Sequence, residues 1–225
     1  MHPLDTLIWT ALTTRQAPLS EGGKLARRMR EDVGPFAAAA DQSEAAVAAL
    51  ASIIPDGGDI SLLEPSPPAP PTGAELAFSA PGIQMAIEAF VKPAARDLPI
   101  EPLGDGDAEE MLALATLTRP GPFRTRTHTL GRFIGIRDNG RLVAMAGERL
   151  QTDEFIEISG VCTHPDYRGR GYGAALLSTV GQRILDEGKA PFLHAYANNT
   201  GAIALYRSLG FEVRREVTHA IWKRA

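Results

Sequence analysis

Three observations predict an α/β or α+β layer structure for this chain. Strand-like and helix-like segments alternate from Leu98 to the C-terminus. An Asn-Gly reversal joins two apolar runs near residue 139. A glycine- and arginine-rich turn leads from a strand-like run into a long amphipathic segment.

The elements follow in order. Asp41–Ile54, DQSEAAVAALASII, predicts an amphipathic helix, with Ala46, Leu50 and Ile53 at helical spacing behind an Asp or Ser cap. ISLLE predicts a short strand. Glu64–Pro71, EPSPPAPP, is a loop or stiff linker, because proline lacks an amide donor and fixes φ. ELAFSA predicts a strand and IQMAIEAFV a short helix. No catalytic motif occurs in this half.

From Leu98 the pattern is more regular. PIEPLG predicts a strand, and Asp107–Leu117 a helix with a capping aspartate and acids in its first turn. GRFIGIRDNGRLVAMAGERL predicts a hairpin turning at Asp138-Asn139-Gly140. EFIEISGVCT predicts a strand, Gly171–Glu187 a helix, PFLHAYA a strand, and Asn199–Leu209 a helix closed by Gly210. FEVRREVTHAIWK supplies one or two final strands. Two regions are expected, an α/β region over 1–97 and a second unit over 98–225.

Composition narrows the function. The 225 residues are 44% hydrophobic and 22% charged, enough for a packed core, and the net charge is -4. That charge argues against broad nucleic-acid binding, which needs a basic face. The lone Cys162 excludes an internal disulfide and fits a reducing compartment. MHPLDTLIWTALTTRQ lacks the basic start and apolar core of a signal peptide. No apolar run approaches the ~20 residues that span a bilayer. A cytoplasmic protein without membrane partners is expected. The five histidines show no metal-ligand spacing, so no metal is expected.

The chemistry concentrates in GVCTHPDYRGRGYGAALL, Gly160–Leu177. After a strand and a polar turn, Arg168-Gly169-Arg170-Gly171-Tyr172-Gly173 opens a helix. Glycines there let backbone amides approach an anion, and the helix N-terminus adds unpaired N–H groups and positive dipole. Two arginines add charge, making a pyrophosphate cradle. The bland alternative is a glycine-containing loop that happens to start a helix. A dinucleotide fingerprint also fits formally at Gly169, Gly171 and Ala174. However, HPDYR separates it from the strand, and too little chain follows for a doubly wound sheet.

Arg168, Gly171 and Gly173 in R-x-x-G-x-G resemble motif A of the GNAT acetyltransferases. The preceding V-x-T-H-P-x-Y resembles that superfamily's approach to the loop. NTGAIALYRSLGF from Asn199, about 30 residues on, resembles the second half of the signature. The resemblance covers about Leu98–Ala225. It implies a mixed, mostly antiparallel sheet flanked by helices and an acetyl-CoA (acyl-CoA) co-substrate. The pyrophosphate would rest on the amides of Arg168–Gly173. The pantetheine arm would pair with the strand carrying Val161, Cys162 and Thr163, in the opening between that strand and PFLHAYA. Asn199 would touch the arm, cap its helix, or both. Residues 1–97 would be a degenerate GNAT-like half or a cap on the acceptor site.

An amine attacks a thioester only when neutral, so a base is needed when its pKa is high. Strand alternation places Glu157 on the face of Ser159 and Val161, and the resemblance makes Glu157 the base. An exposed or ion-paired strand glutamate is the plain alternative, and Glu154 a weaker substitute. The resemblance gives Tyr206 the protonation of the leaving thiolate; otherwise it is a packing aromatic. A backbone N–H near Val161 could stabilise the oxyanion. Cys162 offers a competing acyl-thiol route, but a lone cysteine is more often a small core residue. The expected activity is direct acetyl transfer in a ternary complex to a primary amine of a small molecule, amino acid or peptide. A non-catalytic acyl-CoA-binding module is the alternative, and a homodimer is compatible with either. In Thr116–His128, Arg119, Arg124 and Arg126 could receive a carboxylate or phosphate, or form a solvated basic loop.

Overall fold

In the computed structural model, residues 2–87, 91 and 98–225 are described. The first part folds as α1 (Leu7–Thr13), β1 (Ser20–Gly22), β2 (Ala26–Met29), β3 (Ala37–Ala39), α2 (Glu44–Ser52), β4 (Asp59–Glu64) and β5 (Ala74–Ile87). The rest follows as β6 (Ile100–Leu103), α3 (Ala108–Thr118), β7 (Phe133–Asp138), β8 (Arg141–Gln151), β9 (Phe155–Thr163), α4 (Tyr172–Asp186), β10 (Ala190–Tyr196), α5 (Thr200–Ser208) and β11 (Phe211–Arg224). Strands β1-β2-β3 form a small antiparallel sheet. The large, mostly antiparallel sheet runs β4-β11-β5-β10-β9-β8-β7-β6. Among the described residues, only β9 and β10 pair in parallel within it.

Local chemistry fixes many of these boundaries. The Ser43 hydroxyl accepts the Ala46 amide and starts α2. Asn139 and Gly140 both take positive φ, the reversal that a two-residue hairpin requires. Asp107 precedes α3 but does not cap it with its side chain. Its carboxylate instead accepts from the Gly104 amide and the Arg137 guanidinium. The final segment is one strand with bulges.

The segment IQMAIEAFV is not a helix through its described part. Ile83–Ile87 continue β5, paired with β10 on one side and β11 on the other. Ile83, Gln84 and Met85 are buried there, and a strand covered on both faces loses the alternation that would identify it. Residues 88–90 lie outside the described residues. Residues 59–87 thus supply two strands of the same sheet that carries β6–β11, and β5 separates β10 from β11.

Both faces are covered. Leu176, Leu177, Val180 and Ile184 of α4 pack on one face with Ile134, Ile136, Ile156 and Ile158, and α5 leans on the same cluster through Ile203 and Tyr206. On the other face α1 and β2 meet Leu150 and Phe192, while Met111 and Leu114 of α3 meet Phe133 and Met145. Among the described residues no helix is long and apolar enough to cross a membrane.

Candidate active site

The site forms where the sheet opens. Strands β9 and β10 pair only at Phe155–Ala190, Ile156–Pro191 and Glu157–Phe192. Beyond these positions they diverge, and a cleft of about 170 Å³ lies between them. Val161, Asn199 and Tyr206 line it, together with Arg149, His194, Tyr196, His219 and the Arg119–Pro122 turn. Phe36 and Leu63 of the N-terminal region form part of the wall.

A bulge shapes the floor. Gly160 takes φ +64°, and the β8–β9 register slips between Met145–Cys162 and Gly147–Ser159. The slip breaks the simple alternation expected from the sequence. Glu157 and Ser159 do not share a face with Val161. Val161 instead packs with Ile156 and Ile158 against α4. Cys162 turns to the opposite face among Leu103, Met111 and Phe133. Burial pushes its thiol up to about 11 against the pull of Thr118 and Met145. A group so protonated at neutral pH makes a poor nucleophile.

Glu157 is fully buried behind the cleft. Arg149 donates Nε to Oε2 at 2.8 Å and Nη2 to Oε1 at 2.6 Å, and the Leu150 amide adds a bond to Oε2. His194 Nδ1 lies 2.7 Å from Oε1. Burial opposes ionisation, but Arg149 and His194 overcome it and hold the carboxyl at about 2. His194 is fixed from its other side as well. Arg214 Nε donates to Gln84 Oε1, which turns the Gln84 amide nitrogen toward His194 Nε2 at 3.1 Å. Both imidazole nitrogens are therefore engaged, with Nδ1–H donated to Glu157. Arg149 also lies over the Phe36 ring, 4.6 Å from its centre.

A second polar pair faces the cleft. The Tyr196 hydroxyl is 2.9 Å from His219 Nδ1, and His219 Nε2 is 3.2 Å from Ser61 Oγ. Burial, with the nearby charge of Arg149, moves the His219 pKa below its ordinary value despite the opposing carboxylate of Asp59. Burial raises the Tyr196 phenol, and pushes that of Tyr206 up to about 12.

The glycine turn lies at the N-terminus of α4. A single 3-10 turn, Pro165–Tyr167, brings the chain round from β9. Gly171 takes φ +80° as the N-cap, and no side chain caps the helix. The first-turn amides are thus left to an outside acceptor. Arg168, Gly169 and Arg170 are exposed beside them. Arg170 stacks over the Tyr167 ring and bonds the Asp166 carbonyl. Thr163, at the end of β9, lies beside Gly173. These features suit a pyrophosphate. Asn199 accepts the Ala202 amide and so caps α5 while also lining the cleft.

Arg149, His194, Tyr196 and His219 carry no motif, and their approach depends on β5 and β11. Strand alternation does place His194 and Tyr196 on one face of PFLHAYA. Their partners lie in distant segments.

The family model of FR47-like proteins matches residues 133–222. The chain is 39% identical over 85 residues to the N-alpha-acetyltransferase RimI of Mycobacterium tuberculosis, covering 36% of this chain and 51% of that protein. It is 36% identical over 75 residues to the mycothiol acetyltransferase of Corynebacterium aurimucosum, covering 33% of this chain and 24% of that protein. The chain thus spans about half the length of the first of these relatives and about a quarter of the second. A crystal structure from Novosphingobium aromaticivorans, assigned to the GNAT acetyltransferases, superposes with a TM-score of 0.93 at 43% identity over 100% of both chains. The full-length match in sequence and fold, with the opened sheet and the uncapped glycine turn, places this chain in the GNAT family.

Proposed function

We propose that the protein transfers an acetyl group from acetyl-CoA to a primary amine by direct attack in a ternary complex. The observation that carries this reading is the opening of β9 from β10 beside the uncapped N-terminus of α4. Acetyl-CoA supplies the activated thioester. The amides of Gly169, Gly171, Tyr172 and Gly173, with Arg168 and Arg170, hold its pyrophosphate. Val161 and Asn199 flank its arm, and Thr163 stands at the turn. Cys162 supports the strand from the core.

The base is reassigned within this reading. A carboxylate held at about 2 and bonded by Arg149, Leu150 and His194 accepts no proton from an amine at neutral pH. Glu157 is proposed as a positioning residue that fixes Arg149 and His194. Proton removal is given to Tyr196 and His219. As the amine nitrogen bonds to the acyl carbon, its proton passes to the Tyr196 oxygen while the phenol proton moves to His219 Nδ1. The C–S bond breaks, and Tyr206 protonates the leaving thiolate. Phe36 and Leu63 support assigning the N-terminal region to the acceptor wall.

Thiol release from acetyl-CoA in the presence of a panel of primary amines tests the activity. Turnover with an amine, beyond the hydrolytic background, is expected. Tight acetyl-CoA binding without any turnover would favour a binding module. In the same assay Tyr206→Phe is expected to lower kcat by about 10²-fold or more, with little change in the KM for acetyl-CoA. An unchanged kcat would leave Tyr206 as a packing residue.

A further inference from the structure

We infer that the acceptor carries a carboxylate close to its amine, as a free α-amino acid does, and that Arg119 with the spare edge of Arg149 receives it. The inference rests on the acetyltransferase reading and specifies its substrate class.

Three arginines follow α3, and they separate sharply. Arg124 lies 3.4 Å from Asp59, and Arg126 lies 3.9 Å from Asp32, so each already faces an acid of the N-terminal region. Arg119 instead lines the cleft, with Pro120, Gly121 and Pro122 beside it. It is exposed, and no acidic side chain pairs with it among the described residues.

Its backbone is unusual for its residue type. Arg119 closes α3 in the left-handed region at φ 51° and ψ 57°, with its amide bonded to the Ala115 carbonyl at 2.8 Å. Glycine performs this capping without steric cost. The cap alone therefore does not account for an arginine, and strained positions of this kind concentrate where ligands bind.

Arg149 adds the second donor edge. Glu157 takes Nε and Nη2, while Nη1 points toward the same turn, 3.8 Å from where a Cβ on Gly121 would stand. Among the described residues lining the cleft there is no Asp or Glu. Glu157 offsets the charge of Arg149, which leaves one uncommitted positive charge, that of Arg119. One positive charge matches one carboxylate rather than a phosphate dianion. A guanidinium binds a carboxylate through paired, charge-assisted hydrogen bonds. An acceptor lacking the carboxylate would bring an amine into a positive cleft with nothing to balance it.

The test compares acetylation of the L-amino acids, their C-terminal amides and O-phosphoethanolamine by thiol release, with products identified by mass. Acetyl-CoA binding is measured on the same protein. At least one amino acid should be acetylated, with kcat/KM about tenfold or more above that of its amide. Arg119→Gly keeps the left-handed cap, so it should melt no lower than the wild type while losing that preference. Amides equal to the acids would overturn the inference, as would a preference for O-phosphoethanolamine or discrimination surviving in Arg119→Gly. Acetyl-CoA binding with no amino acid acetylated would also overturn it. Failure to bind acetyl-CoA would instead overturn the activity on which it rests.

Discussion

Replacement of Glu157 by alanine is expected to cost about 3–5 kcal/mol of stability, seen as a lower urea midpoint at pH 7. The carboxylate accepts both Arg149 donors, the Leu150 amide and His194 Nδ1–H. Its loss leaves a buried guanidinium and an imidazole N–H without acceptors, and breaking a buried pair costs more than the pair itself contributes. Glu157→Gln should cost less, because its amide oxygen still accepts from Arg149. Acid should narrow the gap between the wild type and Glu157→Gln. The folded carboxyl titrates at about 2, below its ordinary value of 4.5. Its ionic contribution is therefore complete above the unfolded value and disappears as pH falls through the folded one. The wild type should thus lose stability between these values, and Glu157→Gln should lose less over the same range. Parallel urea midpoints for the two proteins down to pH 3 would refute the ion-pair account.

Replacement of His219 by glutamine is expected to lower kcat by about 10²–10⁴-fold, the usual contribution of a positioned base. Glutamine keeps a hydrogen bond to Ser61 or Tyr196 but cannot take up a proton. The pH profile separates chemistry from structure. The groups around His219 are Tyr196, Ser61, Arg149, His194 and Asp59, with the Phe78 ring 5.8 Å away. Burial and Arg149 hold its pKa below the ordinary 6.5, so at neutral pH the imidazole is uncharged and ready to accept. In the wild type kcat should fall as pH drops through that lowered pKa, and His219→Gln should lack this limb. A second limb in kcat/KM, from the amine's own protonation, should persist in both. Tyr196→Phe should resemble His219→Gln. An acid limb retained in His219→Gln would assign the base elsewhere.

Local signals carried far in the second half of the chain. The Asn139-Gly140 turn, the strand-to-helix glycine turn and the Gly210 stop each act through near neighbours, so spacing alone located them. The uncapped start of α4 was legible for the same reason. Ile83–Ile87 were not, because a strand buried between β10 and β11 shows apolar residues on both faces and so imitates a short helix. The bulge at Gly160 also escaped alternation, since one extra residue reverses every side chain after it. Glu157 stood out as a carboxylate, but its role depends on Arg149, eight residues away across a hairpin, and on His194 in another strand. His219 and Ser61 meet only after residues 59–87 enter the sheet. Sequence spacing carries no sign of such a meeting.

Calorimetric titration of acetyl-CoA into the wild-type protein and into the Arg168→Ala, Gly171→Ala, Gly173→Ala variant tests the central claim most directly. The wild type should bind one equivalent per chain, and the folded variant should bind at least tenfold more weakly. Alanine at Gly171 strains a backbone at φ +80°, and loss of the Arg168 guanidinium removes a positive charge from the proposed pyrophosphate site. A wild-type protein that is folded and binds no acetyl-CoA, or a variant that binds it equally well, would contradict the assignment.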